Sequence, residues 1–346
     1  MYMRLFFLLL LAQPCAAADL PGIPQFIDEM VSKYGYERSE LVQIFERAQH
    51  VPAVIAAISL PATVKPWIEY RANFLGDKRI KDGLKFWQQH QETLSWAEWE
   101  YGVPQEIIVA VIGVETMYGR NAGRFSALDS LTTLAFDYPR RAVFFRSELE
   151  HFLELGREQE WDIFKVKSSY AGALGIPQFM PSSYLNYAED YNNDNLTDLI
   201  NDPVDAIGSV GNYLKRHGWQ RGEPVAVLAK VGEKALAGDL KNARSLASWA
   251  EDGVTPAVQI ETLEAKKETL GAKIETPEIA TVATVKLREF TVADGKEYWL
   301  TFNNFKAITL YNNSSFYAMS VYQLADALRN ARKFASEDHA TSGELK

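Results

Sequence analysis

The side chain best placed to do chemistry in this 346-residue chain is Glu115, because of what precedes it. Ile107-Ile108-Val109-Ala110-Val111-Ile112-Gly113-Val114 is an unbroken apolar block with no polar face for solvent. A helix that is hydrophobic all round is a buried one. Pro104 suits its first turn and Gly119 suits the position just past its end. Glu115 follows Ile112 and Val111 by three and four residues, so it shares their face in the last turn. Apolar surroundings and the negative end of the helix dipole both disfavour a charged carboxylate there. A proton kept near neutral pH is what a general acid needs. The same spacing also fits a structural Glu paired with Arg120 or Arg124, and periodicity leaves both readings open.

A glycosidase of the usual type needs a second carboxylate. Asp129, Asp137, Glu148 and Asp162 are candidates, but spacing places none of them opposite Glu115. Other chemistries find no support. The five histidines lack H-E-x-x-H spacing, and there is no G-x-S-x-G elbow, P-loop or G-x-G-x-x-G. Asp190-Tyr-Asn192-Asn-Asp194-Asn195-Leu196-Thr-Asp198-Leu-Ile-Asn201 is patterned like a calcium loop, with oxygen donors at positions 1, 3, 5 and 9 and the Leu196 carbonyl at 7. Asn195 stands where Gly is usual and Asn201 where a bidentate Glu should close the shell. Asp202 or Asp205 could supply that carboxylate. The rival is an Asx-rich turn, with Asp202 capping a helix from Pro203 to just before Gly218 and Asp205 in its first turn.

These residues need elements to hold them. Residues 19–102 have helical apolar spacing, such as Phe26, Met30, Tyr34 and Leu41, Ile44, Phe45. Trp67, Tyr70 and Phe74 form an aromatic stripe, core by default, though Tyr70 also suits a sugar contact. Helices are expected through Leu155. Gly172, Gly175, Pro177 and Pro181 then make Ser168–Ser183 a structured loop that backbone or ligand can approach closely. Val231–Pro256 reads as short helices and linker. Val285–Phe290 and Glu297–Phe302 alternate as strands about an Asp294-Gly295 hairpin turn. Ala307–Tyr311 is expected to be another short strand, and Phe316–Arg332 a helix.

Hydrophobic content of 47% and charged content of 23% are those of a globular protein. Residues 1–18 read as a secretory signal: Arg4, an apolar run from Leu5 to Ala12, then Ala16-Ala17-Ala18. The run is too short to span a bilayer. Cys15, the only cysteine, follows Pro14, a poor fit to a lipoprotein signal, so export as a soluble protein is expected over a lipid-anchored form. Losing residues 1–18 removes one cation, Arg4, and leaves 35 basic residues against 45 acidic. That balance argues against nucleic acid as a partner.

Four long, ordered segments resemble the lytic murein transglycosylase B family, bacterial enzymes with a lysozyme-like core. They are Gly113–Gly119, Ser168–Tyr184, Asn201–Tyr213, and Ala307–Asn312 with Tyr317–Tyr322. The resemblance spans most of the chain beyond the signal. It implies a mainly helical α+β protein: an N-terminal helical region (19–101) and a lysozyme-like core (102–225) with an EF-hand-like loop at 190–205. A C-terminal region containing a sheet (226–335) would complete the substrate groove, ahead of a flexible tail (336–346).

The implied reaction cleaves the bond between N-acetylmuramic acid and N-acetylglucosamine in peptidoglycan, without water, leaving 1,6-anhydro ends. By the family pattern Glu115 acts first as acid and then as base, so one carboxyl suffices. Ser169 and Gln178 would bond the intermediate or its N-acetyl group, and Tyr70, Phe179, Met180, Tyr213, Tyr311 and Tyr317 would line the groove. Asp190, Asn192, Asp194, the Leu196 carbonyl and Asp205 would hold a structural calcium ion, with no cofactor for the chemistry. A periplasmic monomer is expected. Its partners would be glycan strands and, beyond them, proteins of wall synthesis or remodelling. The alternatives are a hydrolytic muramidase and a non-catalytic wall-binding scaffold.

Overall fold

The computed structural model describes Ala18 and residues 20–60, 65–257 and 284–343, with backbone alone from 335. The expected signal segment lies outside the described residues apart from Ala18. Contacts divide the chain into two compact units, and neither is continuous in sequence. One comprises Met1–Pro61 with Ala122–Asn186, the other Ala62–Asn121 with Tyr187–Lys346. These units cut across the consecutive stretches read from the sequence: 102–121 groups with the C-terminal region and 122–186 with the N-terminal helices.

The first unit is almost entirely helical. Ile23–Tyr34, Arg38–Arg47 and Pro52–Ser59 carry the apolar spacing of the N-terminal stretch, burying Phe26, Met30, Leu41 and Phe45. Ala127–Asp137 packs on Ala142–Glu158, and the Ser126 side chain caps the former by accepting from Asp129 N at 3.2 Å. Such a cap satisfies a backbone donor that the first turn leaves orphaned. A two-stranded antiparallel pair, Phe125–Ser126 with Lys167–Ser168, leads into the expected loop.

In the second unit the Gln105–Thr116 helix lies at the centre. The helices Ser315–Gly343, Asp77–Gln89, Gln91–Tyr101 and Pro203–Arg216 all pack on it. Residues Ile107–Gly113 are buried without a break, as the apolar block requires. A five-stranded antiparallel sheet runs in the order Arg244–Ser245, Thr284–Val292, Gly295–Thr301, Ala226–Val231, Val254–Pro256. Its core is Trp249, Val285, Leu287, Leu300 and Phe302. The central hairpin turns at Ala293-Asp294, one residue earlier than expected, with Val292 opposite Gly295. The Ser315–Gly343 helix continues beyond Ala335, where the apolar spacing ends.

Two expectations are corrected. Ala307–Tyr311 is not a strand but the second half of a helix, Asn303–Tyr311. Its buried residues Asn304, Phe305, Ala307 and Ile308 have helical spacing, and Asn304 donates to Gln220 O and Glu223 O, both at 2.8 Å. A short apolar run cannot be told from a buried helix segment by periodicity. The stretch read as short helices and linker does hold Glu233–Leu236 and Leu246–Glu251, but strands flank them on both sides. Among the described residues no helix is long and apolar enough to cross a membrane.

Candidate active site

The helix that carries Glu115 stops abruptly one residue later. Met117, Tyr118 and Gly119 follow at φ 53°, 63° and 84°, three left-handed residues in succession. Two are not glycine, and such conformations persist only where the surroundings impose them. The freed backbone groups are met locally. Met117 N donates to Gly113 O at 3.2 Å, Gly119 N to Thr116 Oγ1 at 2.9 Å, and Asn121 N to Thr116 O at 2.9 Å. Glu115 therefore projects from a helix end that is fixed on both sides.

Its carboxyl is partly buried among phenols. The Tyr317 hydroxyl donates to Glu115 Oε1 at 2.6 Å. Burial pushes the Glu115 pKa up to about 7, and the Tyr317 hydroxyl opposes that rise. The ion-pair reading does not hold: Arg120 bonds Asp82 at 2.6 Å instead, and Arg124 lies over the Phe125 ring. Tyr311 stacks on Tyr317 with centroids 6.2 Å apart and meets the Tyr213 ring edge-on at 4.7 Å. Tyr213 in turn stacks on His217 at 3.8 Å and donates its hydroxyl to Leu310 O at 2.8 Å. Tyr70 packs on Trp67 and Phe316. Burial, and after it the nearby Glu115, raises the pKa of Tyr70, Tyr311 and Tyr317. All three remain phenols that can donate hydrogen bonds. The second unit thus brings together Glu115, Tyr70, Tyr213, Tyr311 and Tyr317 from four separate stretches of chain.

Ser169, Gln178, Phe179 and Met180 belong to the first unit. Ser169 Oγ accepts from Ala171 N at 3.2 Å and Ala173 N at 3.1 Å, which pins the turn and leaves its proton to donate. Gln178 sits at φ 54° and its amide donates to Ala122 O at 3.0 Å and Gly175 O at 2.9 Å. Phe179 is 1% exposed, so its ring is core of this unit, whereas Met180 keeps exposed surface. The four candidate second acids are all engaged. Asp129 accepts from Gln49 N, Asp137 pairs with His50, and Asp162 pairs with Lys165. Glu148 accepts from both the amide and the hydroxyl of Ser182.

The 190–205 loop folds as an Asx-rich turn around its own amides. Asp190 accepts from Asp194 N and Asn195 N, at 3.1 and 2.8 Å, and Asp194 accepts from Leu196 N at 2.8 Å. Asn195 takes the left-handed conformation expected of the glycine position, at φ 71°. Asp205 is fully buried and accepts from Tyr191 N and Asp198 N, both at 2.8 Å, while Asp202 caps the Pro203–Arg216 helix. Among the described residues no three His, Cys, Asp or Glu side chains converge as a metal-ligand set. The donors are all oxygen, and a carboxylate oxygen that accepts one amide keeps a second lone pair. The donor chemistry therefore suits calcium.

Residues 20–326 match the family model described as a transglycosylase SLT domain. The chain belongs to that family. The transglycosylase is 41% identical to the membrane-bound lytic murein transglycosylase B of Escherichia coli K12, over 91% of this chain and 84% of the relative. It superposes on the crystal structure of soluble lytic transglycosylase SltB1 from Pseudomonas aeruginosa with a TM-score of 0.80 at 42% identity, covering 90% of this chain and all of that one. Slt35 of Escherichia coli, in complex with calcium, gives 0.80 at 40% identity over 91% and 94%. A mainly helical, lysozyme-like α+β fold and lytic transglycosylase activity follow from these matches.

Sequence reasoning gave no role to Arg79, Thr116 or Tyr118, which hold the end of the Glu115 helix. Tyr118 was visible only as a bulky residue in the motif, where its left-handed backbone leaves no mark.

Proposed function

We propose that the protein cleaves the β-1,4 bond between N-acetylmuramic acid and N-acetylglucosamine in periplasmic peptidoglycan, leaving 1,6-anhydro-muramoyl ends. The observation that carries this reading is a single carboxyl with its pKa near 7, bonded to a phenol rather than a guanidinium. Protonated Glu115 gives its proton to the glycosidic oxygen as the C1–O bond breaks. The substrate's N-acetyl oxygen shields the cation at C1, as in substrate-assisted glycosidases. Glu115, now a carboxylate, takes the proton of the sugar's own 6-hydroxyl as that oxygen bonds C1. The acid is restored and no water is consumed. Ring closure within one molecule has an entropic advantage over attack by bulk water.

In this reading Ser169 and Gln178 bond the intermediate or its N-acetyl group. Tyr70, Tyr213, Tyr311, Tyr317 and Met180 contact glycan, while Phe179, expected in the groove, is core of its own unit. Asp190, Asn192, Asp194, the Leu196 carbonyl and Asp205 hold a calcium ion that braces their loop and takes no part in the chemistry. The relative crystallised with calcium supports that assignment. Mass spectrometry of digested sacculi tests the reaction. Anhydro ends support it, and reducing ends heavier by one water would make the protein a muramidase. Glu115→Gln separates enzyme from scaffold: turnover should vanish while glycan binding persists.

A further inference from the structure

We propose that Arg79 is a positioning residue which, together with Tyr118, aims the Glu115 carboxyl. The inference rests on the reading of Glu115 as the acid. Arg79 stands in the first turn of the Asp77–Gln89 helix. One arm of its guanidinium donates to Gly113 O, in the last turn of the catalytic helix and two residues before Glu115. The other donates to Asn73 O at 3.2 Å, the residue that ends the Trp67–Ala72 helix on which Tyr70 sits. The same group lies over the Phe74 ring at 5.2 Å, and Phe74 touches Tyr70 at 5.2 Å. One planar fork therefore ties the helix of the acid to the helix of a groove tyrosine.

The tie is reciprocal. The Tyr118 hydroxyl donates back to Arg79 O at 3.0 Å. Its ring occupies the space that two glycines leave open. A Cβ on Gly83 would lie 2.3 Å from the Tyr118 oxygen, and one on Gly113 would lie 2.7 Å from its ring. Tyr118 reaches this place only because its backbone is left-handed. Burial lowers the Arg79 pKa, yet among the described residues no carboxylate pairs with it. The cation faces one carbonyl at the negative end of the catalytic helix and another at that of the Trp67–Ala72 helix, where a positive group is favourable. A half-buried guanidinium spent on two carbonyls fixes direction, which a fork does better than a point charge.

The test compares Arg79→Ala, Arg79→Lys and Tyr118→Phe with the parent enzyme, well below each melting temperature. The readouts are kcat and KM on soluble glycan oligomers, and amide exchange. Arg79→Ala should lower kcat by about tenfold to a hundredfold, because small misplacements of a reacting group cost that much, with KM nearly unchanged. Arg79→Lys should recover part of the loss, since an ammonium reaches one carbonyl but not both, and Tyr118→Phe should lose less. The Met117 and Tyr118 amides should exchange faster in Arg79→Ala while those of Ile108–Ile112 keep their protection. An unchanged kcat, a Lys variant no better than Ala, or unchanged exchange would overturn the proposal. If Arg79→Ala does not fold, the other two variants decide. Exchange is independent of turnover, so a parent enzyme that makes no anhydro ends would sink the functional reading and not this one.

Discussion

The Tyr317 hydroxyl donates to Glu115 Oε1 at 2.6 Å, although the two residues are 202 positions apart. The bond sets a balance. Burial favours the neutral acid, and a donated hydrogen bond favours the carboxylate. With the pKa held near 7, both protonation states are accessible at working pH. The role proposed for Glu115, giving a proton in one step and taking one in the next, requires this.

Tyr317→Phe removes the influence that opposes burial, so the Glu115 pKa should rise above 7. The alkaline limb of kcat, where the acid is lost, should then move to higher pH. Its maximum should fall about tenfold as the carboxyl loses its orienting partner. A pH–rate profile checks this. A limb that stays in place would mean the hydroxyl does not bond the acid in solution.

Glu115→Gln should abolish turnover and stabilise the fold at alkaline pH. The acid's pKa is about 4.5 unfolded and about 7 folded. The folded state thus holds the extra proton between those values, and stability falls as pH rises through that window. Above pH 7 the cost is complete, at most about 3 kcal/mol. The amide carries no such cost. Thermal melts should show the variant above the parent at pH 8, with the gap closing near pH 4.

The buried helix was legible because Pro104 and Gly119 bracket an unbroken apolar run, while spacing left Glu115 open between an acid and an ion pair. Asp202-Pro203 announced the start of the Pro203–Arg216 helix, and Asp294-Gly295 the hairpin, since each pairs a local signal with a local structure. Ala307–Tyr311 misled because five residues, four of them apolar or aromatic, do not separate period 2 from period 3.6. Of the phenols around Glu115 only Tyr70 had a local signal, its aromatic stripe. Tyr311 and Tyr317 reach it through packing of distant helices, and only resemblance singled them out. Resemblance could not reveal Arg79, whose partners are backbone carbonyls in two other helices.

The calcium loop separates two roles. Asp190→Ala should abolish any rise in melting temperature on adding calcium, while changing the metal-free protein little, because the Asp194 and Asn195 amides it bonds are exposed and water can replace it. Asp205→Ala should destabilise the metal-free protein as well, by roughly 2–4 kcal/mol, because two part-buried amides lose a buried acceptor. Calorimetry with and without chelator measures both. Equal calcium shifts in parent and Asp190→Ala would make the loop a turn and nothing more.

Glu148 tests the one-carboxyl mechanism from the other side. It is the most buried of the candidate second acids, at 4% exposed, and both its oxygens are bonded to Ser182, at 2.9 and 2.7 Å. Those bonds hold the start of the Pro181–Tyr187 helix, directly after the loop that carries Ser169 and Gln178. Glu148→Ala should cost about 2–3 kcal/mol of stability, since it strands an amide and a hydroxyl. Glu148→Gln keeps one acceptor and should cost less. Neither should change the pH profile of kcat once the folded fraction is accounted for. A Glu148→Gln enzyme that folds yet loses one limb of that profile would restore a second acid to the reaction.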